Sequence, residues 1–178
     1  RPRRIQVPRM TSRSSQNLPP IGVDADDLRL PIKDALRTAA ELRFEAVEFS
    51  TVTGELAPAK LSDSGRRHLS RYVAGLGLDL SALVADMPGV SLTDARRTDE
   101  RVAVTCRIIE MARQLGVPTV TASVGALTHP ETKEASPLAL DALRRIGEVA
   151  DACGVTYAIR PSHDTADRLA GVLEAVRC

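Results

Sequence analysis

The chain has 178 residues, 43% of them hydrophobic, enough for a single domain with its own core. Its 24 basic and 23 acidic side chains nearly cancel, leaving a formal charge of +1, and this excludes the global positive field of a nucleic-acid or anionic-membrane binder. Aromatic residues are 2% of the chain and Trp is absent, so the core must be built from Val, Leu, Ile and Ala, the usual filling of parallel α/β sheets.

The first segment, "RPRRIQVPRMTSRSSQNLPP" (residues 1–20), carries Arg1, Arg3, Arg4, Arg9 and Arg13 and no acid. It reads as a solvated, disordered basic arm, and it lacks the apolar core of a secretory signal. Because the chain begins with Arg and ends just after an apolar helical stripe, it reads as a processed chain or an excised part of a longer one. No run approaches the ~18 apolar residues of a membrane span. Residues 21–178 form one domain in which helix and strand alternate.

"IGVDA" at 21–25 is the first strand. Residues 31–42 form a helix with Pro31 in its first turn and Ile32, Ala35, Leu36 and Ala39 on one stripe. The next strand is "AVEFS", at 46–50. A helix at 63–75 follows, with Leu69, Tyr72 and Val73 inward and Gly75 closing it. Then come "GLDLSALV", a long helix at 98–115 with the stripe Val102, Cys106, Ile109 and Ala112, and "VPTVTASVG". Ser136 and Pro137 open a helix at 137–153 with Leu143, Ile146, Ala150 and Cys153 inward. The strand "VTYAIR" follows, and Thr165 is the N-cap of a helix at 166–177 with Leu169, Val172 and Val176 inward. Phe44, Leu78, Val117 and Val155 hold equivalent places in successive joints, about one βα unit apart. Alternation with crossovers of this length means parallel strands and right-handed connections. Two architectures fit: part of a (β/α)₈ barrel, about five units of eight, or a complete five-stranded doubly wound, flavodoxin-like sheet.

The stretches "IGVDADDLRLPIKDALRTAAELRFEAVEFS", "GLGLDLSALVADMPG", "IIEMARQLGVPTVTASVG" and "ALRRIGEVADACGVTYAIRPSHDT", in this order, resemble the xylose-isomerase-like sugar phosphate isomerase/epimerase superfamily over residues 21–178. Arg43 stands where that pattern usually has Gly. The resemblance implies a partial TIM barrel with its site at the C-terminal ends of the strands. It also implies an activity: proton transfer α to the carbonyl of a sugar or sugar phosphate through an enediolate. Position then nominates Asp24, Glu48, Ser50, Asp86, Ser123, Gly125, Arg160, Ser162 and His163. Glu48 and His163 are the catalytic candidates, and Arg160, Ser123 and Asp24 the substrate-binding ones. The family implies a divalent metal, Mn, Zn or Mg, with a ligating Glu at the end of strand five in a pattern like "LAIEPH". Here that stretch is "YAIRPSHD", so Arg160 occupies the Glu position. A guanidinium has no lone pair to offer and repels a cation, so no metal ligand is assigned, and Arg160 is expected to pair with Glu48. The alternative to an isomerase or epimerase is a degenerate, non-catalytic barrel acting as a binding or assembly module.

Several polar residues read as structural or solvated. Asp164 is a helix-start acid, and Asp24, Asp26 and Asp27 form a solvated loop cluster. His68 and His129 are solvated. Cys106, Cys153 and Cys178 are odd in number with no CxxC spacing and suit a reducing cytoplasm. The expected partners are a small-molecule sugar or sugar phosphate and a second copy or another chain that closes the barrel. The five units alone would leave strand edges and an apolar interior exposed.

Overall fold

The computed structural model describes residues 19–129, 131–161 and 164–176, so most of the basic arm, and with it Ser162, His163 and Cys178, lies outside the described residues. Helix and strand alternate as β1 (Gly22–Asp24), α1 (Ile32–Glu41), β2 (Ala46–Ser50), α2 (Asp63–Gly75) and β3 (Asp79–Val84). They continue as α3 (Thr98–Leu115), β4 (Thr119–Ser123), α4 (Pro137–Cys153), β5 (Thr156–Arg160) and α5 (Ala166–Val176). Short 3₁₀ turns follow β1 at Ala25–Leu28 and β2 at Gly54–Leu56.

All neighbouring strands pair in parallel, in the order β1-β2-β3-β4-β5. A doubly wound sheet must reverse its strand order at a switch point. This one never does, so the flavodoxin-like alternative is set aside. Right-handed crossovers in unbroken order carry every helix to the same side of the sheet, which is the geometry of a curving barrel wall.

Strand alternation and register sort the side chains into two faces. Val47, Phe49, Leu83, Val120 and Ala122 are fully buried against the helices, where they meet Leu36, Ile108, Ile109 and Ile146. Burying each large aliphatic side chain contributes about 1.5–3 kcal/mol. The opposite face carries Gly22 and Asp24, Ala46, Glu48 and Ser50, Ala82 and Val84, Thr119, Thr121 and Ser123, and Thr156, Ala158 and Arg160. This corrects the expected apolar interior: the inner face is small and polar. Close approach requires the small residues, since a Cβ on Gly22 would lie 3.1 Å from the Ala46 carbonyl oxygen.

One element end differs from expectation: Pro31 sits at the N-cap of α1 and the helix begins at Ile32. α2 ends at Gly75 as expected, and the left-handed residue that turns the chain is Gly77 (φ 74°). Gly116 and Gly154 close α3 and α4 in the left-handed conformation. In α4, Ser136 accepts a hydrogen bond from the Ala139 N–H, with Pro137 at the first turn. Thr165 precedes α5 as expected, its carbonyl accepting from Leu169 N–H at 3.0 Å.

Candidate active site

The C-terminal ends of the strands bring four charged side chains together. Asp24 ends β1 and lies directly across from Glu48 on β2. A register shift between Val47 and Glu48, opposite Ser81, sets Glu48 beside Ala82, and the Ser81 hydroxyl donates to the Val47 carbonyl at 3.1 Å. Ser123 and Arg160 are paired at the ends of β4 and β5. Asp86 lies just beyond β3. There the ladder runs out, with Ala85 N–H on the Thr121 carbonyl at 2.8 Å, and the Asp86 carboxylate continues it by accepting Ser123 N–H on Oδ1 at 2.6 Å.

The other Asp86 oxygen, Oδ2, accepts from Arg160 Nη2 at 2.5 Å. Arg160 Nη1 is 3.9 Å from Glu48 Oε1. Arg160 thus bridges two carboxylates, its tighter partner being Asp86 and not the expected Glu48. Burial raises the Glu48 pKa, the Arg160 charge pulls it back, and Asp24 and Asp86 push it up again, leaving it above the ordinary carboxylate range. The Asp24 carboxyl is likewise raised, first by burial and then by Asp26 and Asp27, against the pull of its hydrogen bond from Asp26 and of Arg160. In both groups burial and the neighbouring carboxylates disfavour the charged form, while Arg160 favours it.

A family model of the xylose isomerase-like TIM barrel matches residues 36–177. The chain belongs to that family. Among solved structures it is similar to a xylose isomerase domain protein from Planctomyces limnophilus (TM-score 0.72, 19% identity, covering 88% of this chain and 59% of that one). It is also similar to a xylose isomerase-like TIM barrel protein from Mycobacterium smegmatis in complex with magnesium (0.66, 21%, 89% and 61%). A third is D-psicose 3-epimerase from Clostridium cellulolyticum H10 with D-tagatose (0.66, 16%, 88% and 60%). The chain therefore spans between 59% and 61% of the length of these barrels. No curated protein matches the sequence.

One xylose isomerase-like relative holds magnesium, but the residues described in this chain do not fit a divalent ion. A guanidinium lies among the carboxylates that would ligate it, in contact with Asp86 and within 3.9 Å of Glu48. Among the described residues no group of three or more His, Cys, Asp or Glu side chains is arranged to hold a metal. Oxygen donors already committed to a cation offer no shell for a second one.

Asp24 Oδ1 accepts from Asp26 N–H at 3.0 Å and caps the 3₁₀ turn. Asp26 in turn accepts from Ser50 N–H at 2.6 Å. The acidic cluster is therefore mostly loop construction, with Asp27 exposed. The Ser123 N–H donates to Asp86, and the Ser123 side chain lies on the inner face. His163 lies outside the described residues. His129 is exposed, and its Nδ1 accepts from Glu131 and Thr132 N–H groups at 3.3 Å. Asp164 is more than a helix-start acid: it accepts from Leu127 N–H at 2.6 Å and the Thr128 hydroxyl at 2.5 Å, joining two loops.

The charged stretch "SLTDARRTDER", residues 91–101, reads in the sequence as a solvated face, and the structure corrects this at Arg101. It is 1% exposed on α3, in line with buried Thr105, Ile108 and Ala112. A charged residue one turn ahead of that stripe was the available signal.

Proposed function

We propose that this chain carries the N-terminal part of a sugar isomerase or epimerase active site, moving a proton between carbons α to the carbonyl of a sugar or sugar phosphate. The observation that supports this most directly is a partly buried carboxylate of raised pKa, Glu48, beside the Arg160 guanidinium at the mouth of the barrel wall. Glu48 takes the proton from carbon, the C–H electron pair becomes the new C=C bond, and the carbonyl π pair moves onto oxygen to give an enediolate. A base with a pKa above the ordinary carboxylate range is better matched to that step near neutrality. Arg160 places positive charge against the developing oxyanion. His163 serves as the second acid/base group, returning the proton, while Asp24 and the Ser123 hydroxyl orient substrate hydroxyls. In this reading Arg160 supplies the positive charge, and no step needs a divalent metal.

Among the described residues no helix is long and apolar enough to cross a membrane. Cys106 and Cys153 are free thiols, and burial raises the pKa of Cys106. We place the protein in the reducing cytoplasm on that chemistry, with the barrel closed across the outer edges of β1 and β5 by further strands or a second copy.

The 2.5 Å bond between Arg160 and Asp86 favours a second reading. A guanidinium held this firmly can be a structural tie in a barrel that binds without catalysing.

Incubation with a panel of ketoses and ketose phosphates in D₂O, followed by NMR, separates the two. The catalytic reading expects deuterium to enter at the carbon next to the carbonyl, and the rate to fall at least ~100-fold in Glu48→Gln. Absence of exchange with every sugar, with or without added Mn²⁺, would leave the binding module as the reading.

A further inference from the structure

We propose that the cavity under the β3–α3 connection is an oxyanion site, in which Arg101 holds the phosphate or carboxylate group of a small ligand. The cavity has a volume of about 430 Å³, and Asp86, Gly89, Ser91, Arg101, Ser123 and Gly125 line it. Asp86 is shared with the Arg160 cluster, so the two sites adjoin.

Arg101 is 1% exposed, yet among the described residues it forms no ion pair. A guanidinium has five N–H donors. Here Nη2 donates to the Ser123 carbonyl, while Nε is buried with no partner. Asp86, the carboxylate in the same cavity wall, is already committed to Ser123 N–H and Arg160. Burial lowers the Arg101 pKa, against weaker upward pulls from Tyr157 and Asp86. A buried cation without a counter-charge is unfavourable. Water would satisfy its donors and leave the charge uncompensated, whereas an oxyanion does both, with the fork geometry that Arg offers to phosphate and carboxylate. Gly125 and Ser91, both in the lining, approach each other closely: Gly125 has φ 78°, and a Cβ there would come 2.9 Å from the Ser91 hydroxyl oxygen.

The ligand's identity rests on the sugar reading above. It would be a sugar phosphate or sugar acid with its anionic end at Arg101 and its reacting carbons toward Glu48. The anion site itself does not need turnover, and its test measures binding alone.

The whole chain is titrated calorimetrically at low ionic strength with inorganic phosphate and, separately, with glycolate. Wild type is compared with Arg101→Met, which keeps the bulk and loses the charge, and with Arg101→Lys, which keeps the charge and loses the fork. The expected result is saturable binding of at least one anion, weakened at least ~10-fold in both variants. Phosphate alone points to a phosphorylated ligand and glycolate alone to a sugar acid. Circular dichroism identifies any variant that fails to fold, and the other variant then decides. No saturable binding of either anion to wild type, or undiminished binding in a folded variant, overturns the site. Anion binding without proton exchange in D₂O would remove the enzyme reading and leave this site standing.

Discussion

At the residue scale, Glu48 shows how a charge cluster can oppose the fold it sits in. Burial comes first among the influences on its carboxyl and outweighs the attraction of Arg160, so its native pKa lies above the ordinary 4.5. Between those two values the native state holds a proton that the unfolded state has lost, so stability falls as pH rises through that window. Glu48→Gln removes the titration. The urea midpoint of the variant should equal or exceed that of wild type at about pH 7, and the advantage should vanish below about pH 4, where both forms are neutral. A variant clearly less stable at neutral pH would mean that the Arg160 contact dominates. Arg160 makes the complementary prediction. Arg160→Glu would convert one cation among three carboxylates into a fourth carboxylate, and such a set is either repulsive or a hard-cation site. The variant should melt below wild type without metal and gain thermal stability with added Mn²⁺, while wild type gains none. An equal response to Mn²⁺ in both proteins would show that Arg160 does not stand in the way of a metal.

At the element scale, the joints after α1, α2, α3 and α4 repeat one conformation with one exception in residue type. Gly77, Gly116 and Gly154 turn the chain with φ between 65° and 74°, and Arg43 does the same at φ 64°. An L side chain in the left-handed region is strained, while glycine is not, although glycine gives up more entropy on folding. Arg43→Gly should therefore stabilise the protein by about 0.5 kcal/mol, read as a rise in melting temperature; a fall would mean that the exposed Arg43 side chain makes a compensating interaction. Asp164 ties the β4–α4 loop to the start of α5. Burial raises its carboxyl, but hydrogen bonds from Leu127 and Thr128 and the Arg168 charge outweigh it and hold the pKa below 3.8. Its contribution is complete above the ordinary value and is lost as pH falls through the lower native one. Asp164→Ala should cost about 1 kcal/mol at neutral pH, discounted for partial exposure, and less at pH ~2. A pH-independent loss would assign the effect to packing. These joints also mark how far the sequence could be read. The bounds of α2, α3 and α4 follow from apolar spacing, Ser136, Pro137 and the glycines, all of which act within a few residues. The Asp164 bonds to Leu127 and Thr128, and the choice of Asp86 over Glu48 by Arg160, are set by loop paths across 36 to 74 positions, on which local spacing carries no information.

At the scale of the whole molecule, strand order determines where stability is concentrated. β2, β3 and β4 each have a neighbour on both sides and carry the fully buried Val47, Phe49, Leu83, Val120 and Ala122. β1 has three residues, none of them buried, and in β5 every residue is at least partly accessible. α5 buries Leu169 and Val172, whereas α3 buries eight side chains. Local opening follows buried contacts and edge exposure. Native-state hydrogen exchange should therefore find the amides of β3 and β4 the most protected, and those of β1, β5 and α5 exchanging at lower free energy. The same experiment tests closure of the barrel. If a second copy pairs with the free edge of β5, protection at residues 156–160 will rise with protein concentration, while that of β3 stays constant. Protection in β5 equal to that in β3 at every concentration would contradict the edge assignment and require a strand partner within the chain itself.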